Sequence, residues 1–210
     1  MTKEILAQPS QANKMTNQIM VSGSVAEPCR FSHRVYGESF YEFLLVTNRL
    51  SGTSDHLPVL FSARVSTLPK VGEHVSVTGQ IRSCNRMENG KNRLILRVFA
   101  KNIAFGTQED SNEVFLQGHL CKMPVHRVTP FGREICDVLL AVNRNFGKSD
   151  YIPCIFWGRN AQLAAEKEIG SLLKVWGRMQ SRMYQKRLET GVEERTAYEV
   201  SASRVEFQAD

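Results

Sequence analysis

The chain has 210 residues, 42% of them hydrophobic and 23% charged, with a formal net charge of +6. That apolar content excludes a disordered polyelectrolyte, and no apolar run approaches the ~20 residues of a membrane-spanning helix. The positive balance favours a polyanionic partner and leaves nucleic acid and anionic lipid both open.

From the start of the chain, residues 1–14 are polar and weakly patterned, as expected of a mobile tail. Period-two alternation then predicts strands at Ile19–Val25, Phe40–Asn48, Leu57–Ser62, Val75–Cys84 and Leu94–Ile103. Between the third and fourth, Val65–Lys70 is short and broken by Pro69, so only a stunted helix is expected. Asn89-Gly90 is a hairpin signal before the fifth. Residues 107–111 (TQEDS) read as a linker. The order then returns, with strands predicted at Val114–Leu120, Ile135–Asn143, Ile152–Trp157, Leu172–Met183 and Arg195–Val205. A helix is predicted over Asn160–Glu168, with Asn160 as its cap and Gly170 just past its end.

The two series are copies of one another. At an offset of 95, Asn17 falls on Asn112, Gly23 on Gly118, Asn48-Arg49 on Asn143-Arg144, Ser54-Asp55 on Ser149-Asp150 and Phe61 on Phe156, with no gap. The offset grows to 98 past the helix (Gly79 on Gly177) and to 102 past the last turn (Phe105 on Phe207). A period of this length suits a duplicated small domain, giving domains at 15–106 and 112–208 that the short linker holds side by side. Five strands with a helix between the third and fourth is the order of an OB-fold. The expected fold class is therefore all-β: two tandem five-stranded OB-fold barrels, the second with a short helix between strands three and four. Another small barrel or sandwich is the alternative.

Strand four of the second copy is the most informative stretch. Its odd positions (Leu173, Val175, Gly177, Met179, Ser181, Met183) are apolar or small, and its even positions are Lys174, Trp176, Arg178, Gln180, Arg182, Tyr184 and Lys186. Side chains alternate across a strand, so one face is a core face and the other is aromatic and cationic; no acid occurs from Lys174 to Arg187. Unpaired nucleic acid asks for this combination, because cations neutralise phosphates and rings stack on bases at ~1–3 kcal/mol each. The competing reading has Trp176 or Tyr184 packing on the neighbouring repeat or subunit.

Strand three adds Tyr151 and Trp157, of opposite parity to Ile152, Cys154 and Phe156. On the matching face of its own strand four the first copy keeps Arg82 and Arg86, followed by Lys91 and Arg93, with no ring. It is expected to contribute charge and little stacking. Arg49 and Arg144 close strand two in the two copies, either as turn residues or as phosphate contacts, and Arg64 and Arg159, matched just past strand three, complete the candidate set.

The five histidines do not fall at metal-ligand spacing with the five cysteines, and there is no phosphate loop or nucleophile elbow. No metal, no cofactor and no catalysis are expected. The cysteines form no CxxC pair and do not superpose between copies, which reads as reduced thiols in a cytoplasmic protein.

The segments GHL at 118–120, TPFG at 129–132, LAVNR at 140–144, SDYIPCIFWGRNAQ at 149–162, GSLLKVWGRMQSRMY at 170–184 and YEVSASRVEF at 198–207 together resemble the bacterial single-stranded DNA-binding proteins. The first copy resembles the same family more distantly, through VSGSV at 21–25, LLVTNR at 44–49 and VGEHVSVTGQIRS at 71–83. The resemblance implies base-stacking positions at Tyr151 and Tyr184 and a basic position at Arg182. It also implies assemblies of four OB-folds, hence a homodimer of this duplicated chain. The family commonly ends in a flexible acidic tail that recruits replication and repair enzymes; residues 205–210 carry none, so that hub role is not expected. The function implied is sequence-tolerant binding and protection of single-stranded DNA in replication, recombination or DNA transfer, with replication or recombination proteins as further partners. The alternatives are an OB-fold protein-interaction module of a primosome or mobile-element replication or conjugation complex, and RNA binding on the same face.

Overall fold

The computed structural model describes residues 16–88, 90–106, 109–188 and 191–208. The expected tail at 1–14, Asn89 of the hairpin signal, and Thr107 and Gln108 of the linker lie outside the described residues. The first half forms β1 (Asn17–Val25), β2 (Arg30–Val35), β3 (Glu38–Asn48), β4 (Ser54–Ser62), β5 (His74–Glu88) and β6 (Lys91–Phe105). The second half forms β7 (Ser111–Leu120), β8 (Val125–Val128), β9 (Glu134–Asn143), β10 (Ser149–Trp157), α1 (Arg159–Ala165), β11 (Leu172–Leu188) and β12 (Gly191–Phe207).

Each half closes into a barrel by the same pairings. β1 is antiparallel to both β3 and β5, β3 to β4 and β5 to β6, while β4 and β6 run parallel. The second half repeats this with β7, β9, β10, β11 and β12. This is the five-stranded OB-fold, present twice. The cores match position for position: Val21, Leu45, Leu57, Phe61 and Val77 are fully buried in one barrel, and Leu116, Leu140, Ile152, Phe156 and Val175 in the other. Each such side chain contributes roughly 1.5–3 kcal/mol of apolar burial.

Two strands escaped the sequence pattern. β2 and β8 pair with β3 and β9 outside the barrels, and nearly every residue in them is exposed, so neither has a core face to impose alternation. The helix is also displaced from its predicted span. It covers Arg159–Ala165 with Gly158 at the cap position (φ 52°), so Asn160 lies inside the first turn and caps nothing. Glycine tolerates this left-handed backbone and lets the chain turn into the helix directly from β10.

The repeated glycines and asparagines have one structural purpose. β11 leaves β7 at Gly177, where a Cβ would lie 2.1 Å from the Ser201 carbonyl oxygen. Gly79 meets the Phe99 carbonyl at the same distance. Beyond the departure point, Met179 N–H donates to Asn112 Oδ1 (2.9 Å) and Asn112 Nδ2 donates to the Met179 carbonyl (2.7 Å). Asn17 serves Ile81 in the same way at 2.9 and 2.7 Å. These side chains replace the ladder bonds that the diverging strands give up.

The two barrels share one sheet. β1 and β7 pair antiparallel along Asn17–Ser22 and Ser111–Leu116, joining all twelve strands. Two fully buried carboxylates then fasten each barrel to the hairpin of the other. Asp150 accepts from Ser83 N (2.7 Å) and Arg82 Nη1 (2.9 Å), both of the first repeat, with Arg144 Nε at 3.4 Å. Asp55 accepts from Arg49 Nε (2.7 Å) and from Ser181 N of the second repeat (2.9 Å). The seryl hydroxyls complete the exchange: Tyr151 N donates to Ser83 Oγ and His56 N to Ser181 Oγ.

Candidate nucleic-acid interface

β10 turns one side chain in two away from its barrel. Ile152, Cys154 and Phe156 are buried, and Tyr151 (46% exposed) and Trp157 (37%) face outward. Trp157 Nε1 donates to Ser201 Oγ at 3.1 Å, which fixes the indole edge and leaves its faces to solvent or a ligand. β11 supplies the charges. Arg178 stands opposite Ser201, Arg182 opposite Ala197 and Tyr184 opposite Arg195. The Arg182 guanidinium lies 5.8 Å from the Tyr184 ring centroid, and both side chains are exposed. Arg159 is exposed on the first residue of α1, and Lys186 is half-buried further along β11.

Three surface depressions show which candidates the fold brings together. One of about 700 Å³ is lined by Trp157, Arg178, Arg49, Arg133 and Ser201. Here burial holds the Arg178 guanidinium below its ordinary range, as does the charge of Arg49, against the opposing pull of Asp55. A second, of about 410 Å³, joins Tyr184 and Thr196 of the second hairpin to Arg86 and Arg93 of the first, across Pro58 and Pro153. Arg93 Nη2 donates to the Thr196 carbonyl at 3.2 Å. The third, of about 740 Å³, holds Trp176 on the outer face of the shared sheet with Met20, Phe115 and Lys101. Trp176 packs against Phe115 (5.1 Å between centroids) and beneath Arg204 (4.7 Å). It lies apart from Tyr184, with which the sequence grouped it.

Other expectations change in detail. Met183, assigned to the core face, is 70% exposed, because the hairpin runs beyond the barrel; Gln180, assigned outward, is buried and donates to Glu199. The acid-free run of β11 is not free of acids in space, since β12 places Glu206 beside Lys174, Glu199 beside Arg182 and Glu193 opposite Lys186. Arg49, Arg82 and Arg144 are engaged with the buried aspartates. Arg64 is largely exposed, with Glu38 at 3.6 Å. The side chains of Lys91 and Arg187 lie outside the described residues. Arg133, which the sequence reading did not select, joins the Trp157 depression; it follows the TPFG turn, whose Phe131 is almost fully exposed. The first repeat also has rings on its outer face, Phe40 and Phe99, contributed by β3 and β6 rather than by its fourth strand.

Residues 111–208 match the model of the single-strand binding protein family. The chain is 40% identical over 81 residues to single-stranded DNA-binding protein B of Bacillus subtilis, covering 35% of this chain and 72% of that one. The chain belongs to the single-strand binding protein family. Single-stranded DNA-binding protein A of the same organism is 38% identical over 103 residues, covering 46% of this chain and 58% of that protein. This member of the family thus spans between about half and three quarters of the length of these relatives. Its tandem architecture is shared by the single-stranded DNA binding protein from Thermus aquaticus, which superposes with a TM-score of 0.73 over 92% of this chain and 93% of that one at 22% identity. At that identity the likeness concerns the fold.

Proposed function

We propose that the chain binds single-stranded DNA on the outer face of its C-terminal barrel, stacking bases on Tyr151, Trp157 and Tyr184 and neutralising phosphates with Arg178, Arg182 and Lys186. The observation that supports the reading is the pairing of outward rings with guanidinium groups, Trp157 with Arg178 in one depression and Tyr184 with Arg182, in a family member whose relatives are named for this activity. Stacking uses the π-face every base has, so the binding is sequence-tolerant. Arg86 and Arg93 carry the basic track from Tyr184 onto the first repeat. Arg82 acts chiefly as a fastener between the repeats, and Arg49 and Arg144 hold the buried aspartates of their own repeats. The biological setting we infer is the protection of exposed strands during replication, recombination or DNA transfer.

The test is a titration of the full chain with oligo-dT of about 15 nucleotides, a length suited to one or two OB-folds. Binding is expected to weaken steeply with salt. Tyr151→Ala combined with Tyr184→Ala is expected to lower affinity at least about tenfold, two lost stacks being worth ~1–3 kcal/mol each. Unchanged affinity in that variant would refute the assignment.

We also infer a homodimer that brings four OB-folds together. Its support is the outer face of the shared sheet, where Trp176, Phe115 and Met20 lie partly exposed side by side. Light scattering on the purified chain checks it. We infer a cytoplasmic setting from the five free cysteines, none of them in a CxxC pair; burial pushes the thiols of Cys29, Cys121, Cys136 and Cys154 up.

A further inference from the structure

The N-terminal barrel carries rings on the corresponding face, at positions that do not align with those of the C-terminal barrel. In the C-terminal barrel Trp157 stands opposite Ile135 and reaches Ser201. In the N-terminal barrel the place of Trp157 is taken by Ser62, too small to cover the same ground, and its neighbours are larger instead. Phe40 stands opposite Ser62 where Ile135 stands opposite Trp157. Phe99 stands opposite Gln80 where Ser201 stands opposite Arg178. Val98 and Ala100 on either side of Phe99 are buried, so strand alternation turns Phe99 outward, and its ring lies 6.3 Å from that of Phe40.

A β-bulge extends this pair to the surface. Phe31 is registered with Tyr41 and His33 with Phe40, which leaves Ser32 as an extra residue in β2. Such a bulge re-aims the side chains that follow it. Phe31 packs edge-on to Tyr41, which itself lies against the core, while His33 reaches the outer face. The imidazole lies flat on Phe40, with centroids 4.9 Å apart and planes 5° from parallel, and Ser32 Oγ sits 2.9 Å from its Nδ1. At the other end the Arg82 guanidinium covers Phe99 at 5.7 Å. The result is a column, Arg82–Phe99–Phe40–His33, ending in an exposed planar ring. Two residues along β3 from Phe40, Glu38 pairs loosely with Arg64, which is 75% exposed and contributes little to the fold through that contact.

We propose that this column is a second single-stranded DNA site, where a base stacks on the free face of His33 and Arg64 faces the adjoining phosphate. It rests on the reading of the chain as a single-stranded DNA binder and adds a separate set of residues on the other barrel. A core cluster has no need of an exposed imidazole laid parallel on its outermost phenyl ring; a base-stacking platform does. One strand can then engage both barrels of a single chain.

The experiment uses the full chain in the Tyr151→Ala, Tyr184→Ala background, titrated with oligo-dT of about 15 nucleotides. Adding His33→Ala is expected to weaken the remaining binding roughly 5- to 150-fold, the value of one stacked base. His33→Trp is expected to restore it and to add emission that dT quenches. His33 is exposed, so neither substitution should move the thermal melt. If the tyrosine pair weakens binding and His33→Ala then changes nothing, the second site is overturned and the first reading stands. If His33→Ala weakens binding but the tyrosine pair had no effect, the column is supported and the first assignment fails. If neither changes anything, both are overturned.

Discussion

Replacing Asp150 by alanine tests the joint between the repeats. The carboxylate is fully buried and accepts from Ser83 N at 2.7 Å and Arg82 Nη1 at 2.9 Å across the joint, with Arg144 Nε at 3.4 Å from its own side. Its removal leaves one backbone N–H without an acceptor and two guanidinium groups, 27% and 29% exposed, without a counter-charge. Breaking a buried pair on one side costs about 3–5 kcal/mol, most of it the stranded charge. That is a large share of the ~5–15 kcal/mol by which native proteins are stable. At a urea dependence near ~2–3 kcal/mol/M, the midpoint should fall by more than about 1 M. Amide exchange should rise at Ser83 and at Tyr151, whose N–H bonds to Ser83 Oγ. Asp55→Ala should affect the joint less, because Asp55 receives one bond across it, from Ser181 N, and is otherwise held by Arg49 of its own repeat. A midpoint shift under about 0.3 M, less than ~1 kcal/mol, with unchanged protection at Ser83 and Tyr151 would refute the reasoning.

Gly177→Ala would set a Cβ 2.1 Å from the Ser201 carbonyl, forcing the β11–β12 ladder to shift, and should cost at least about 2 kcal/mol in urea unfolding. Asp110 is pushed up by burial, but His74 Nε2 at 2.7 Å and two hydrogen bonds from Asn48 outweigh this and hold its carboxyl below the ordinary value. Its stabilising contribution is therefore present above the unfolded-state value near ~4 and is lost as pH falls through the lower folded value; Asp110→Asn should flatten the fall in urea midpoint below about pH 4. Trp176→Ala should lower the dimer content measured by light scattering while changing dT affinity less than about threefold, because Trp176 sits on the shared-sheet face away from Tyr184. A tenfold loss of affinity in that variant would place the indole in the DNA site instead.

The duplication, the strand order and the core were legible in the chain because each is a property of local period and internal offset. Val21 and Leu116, Phe61 and Phe156, and Val77 and Val175 occupy equivalent buried places at the offsets read from the residues alone. The matched Asn-Arg and Ser-Asp pairs were legible as repetition, but their work was not: Asn48 and Ser54 tie one turn, Asn143 and Ser149 the other, and each aspartate reaches across to the opposite hairpin. The outward parity of Tyr151, Trp157 and Tyr184 also followed from alternation. Who stands beside whom was settled in three dimensions. Glu199 and Glu206 sit next to the β11 cations because β12 folds back along β11, with a register shift at Trp176/Gly177 between them, and Trp176 parts from Tyr184 because β11 abandons β7 at Gly177. The column of His33, Phe40 and Phe99 draws on three strands and a bulge, so no period along any single strand contains it. Alternation assigns a side chain to a face, whereas register, bulges and strand divergence decide its neighbours on that face, and a stacking site is made of neighbours.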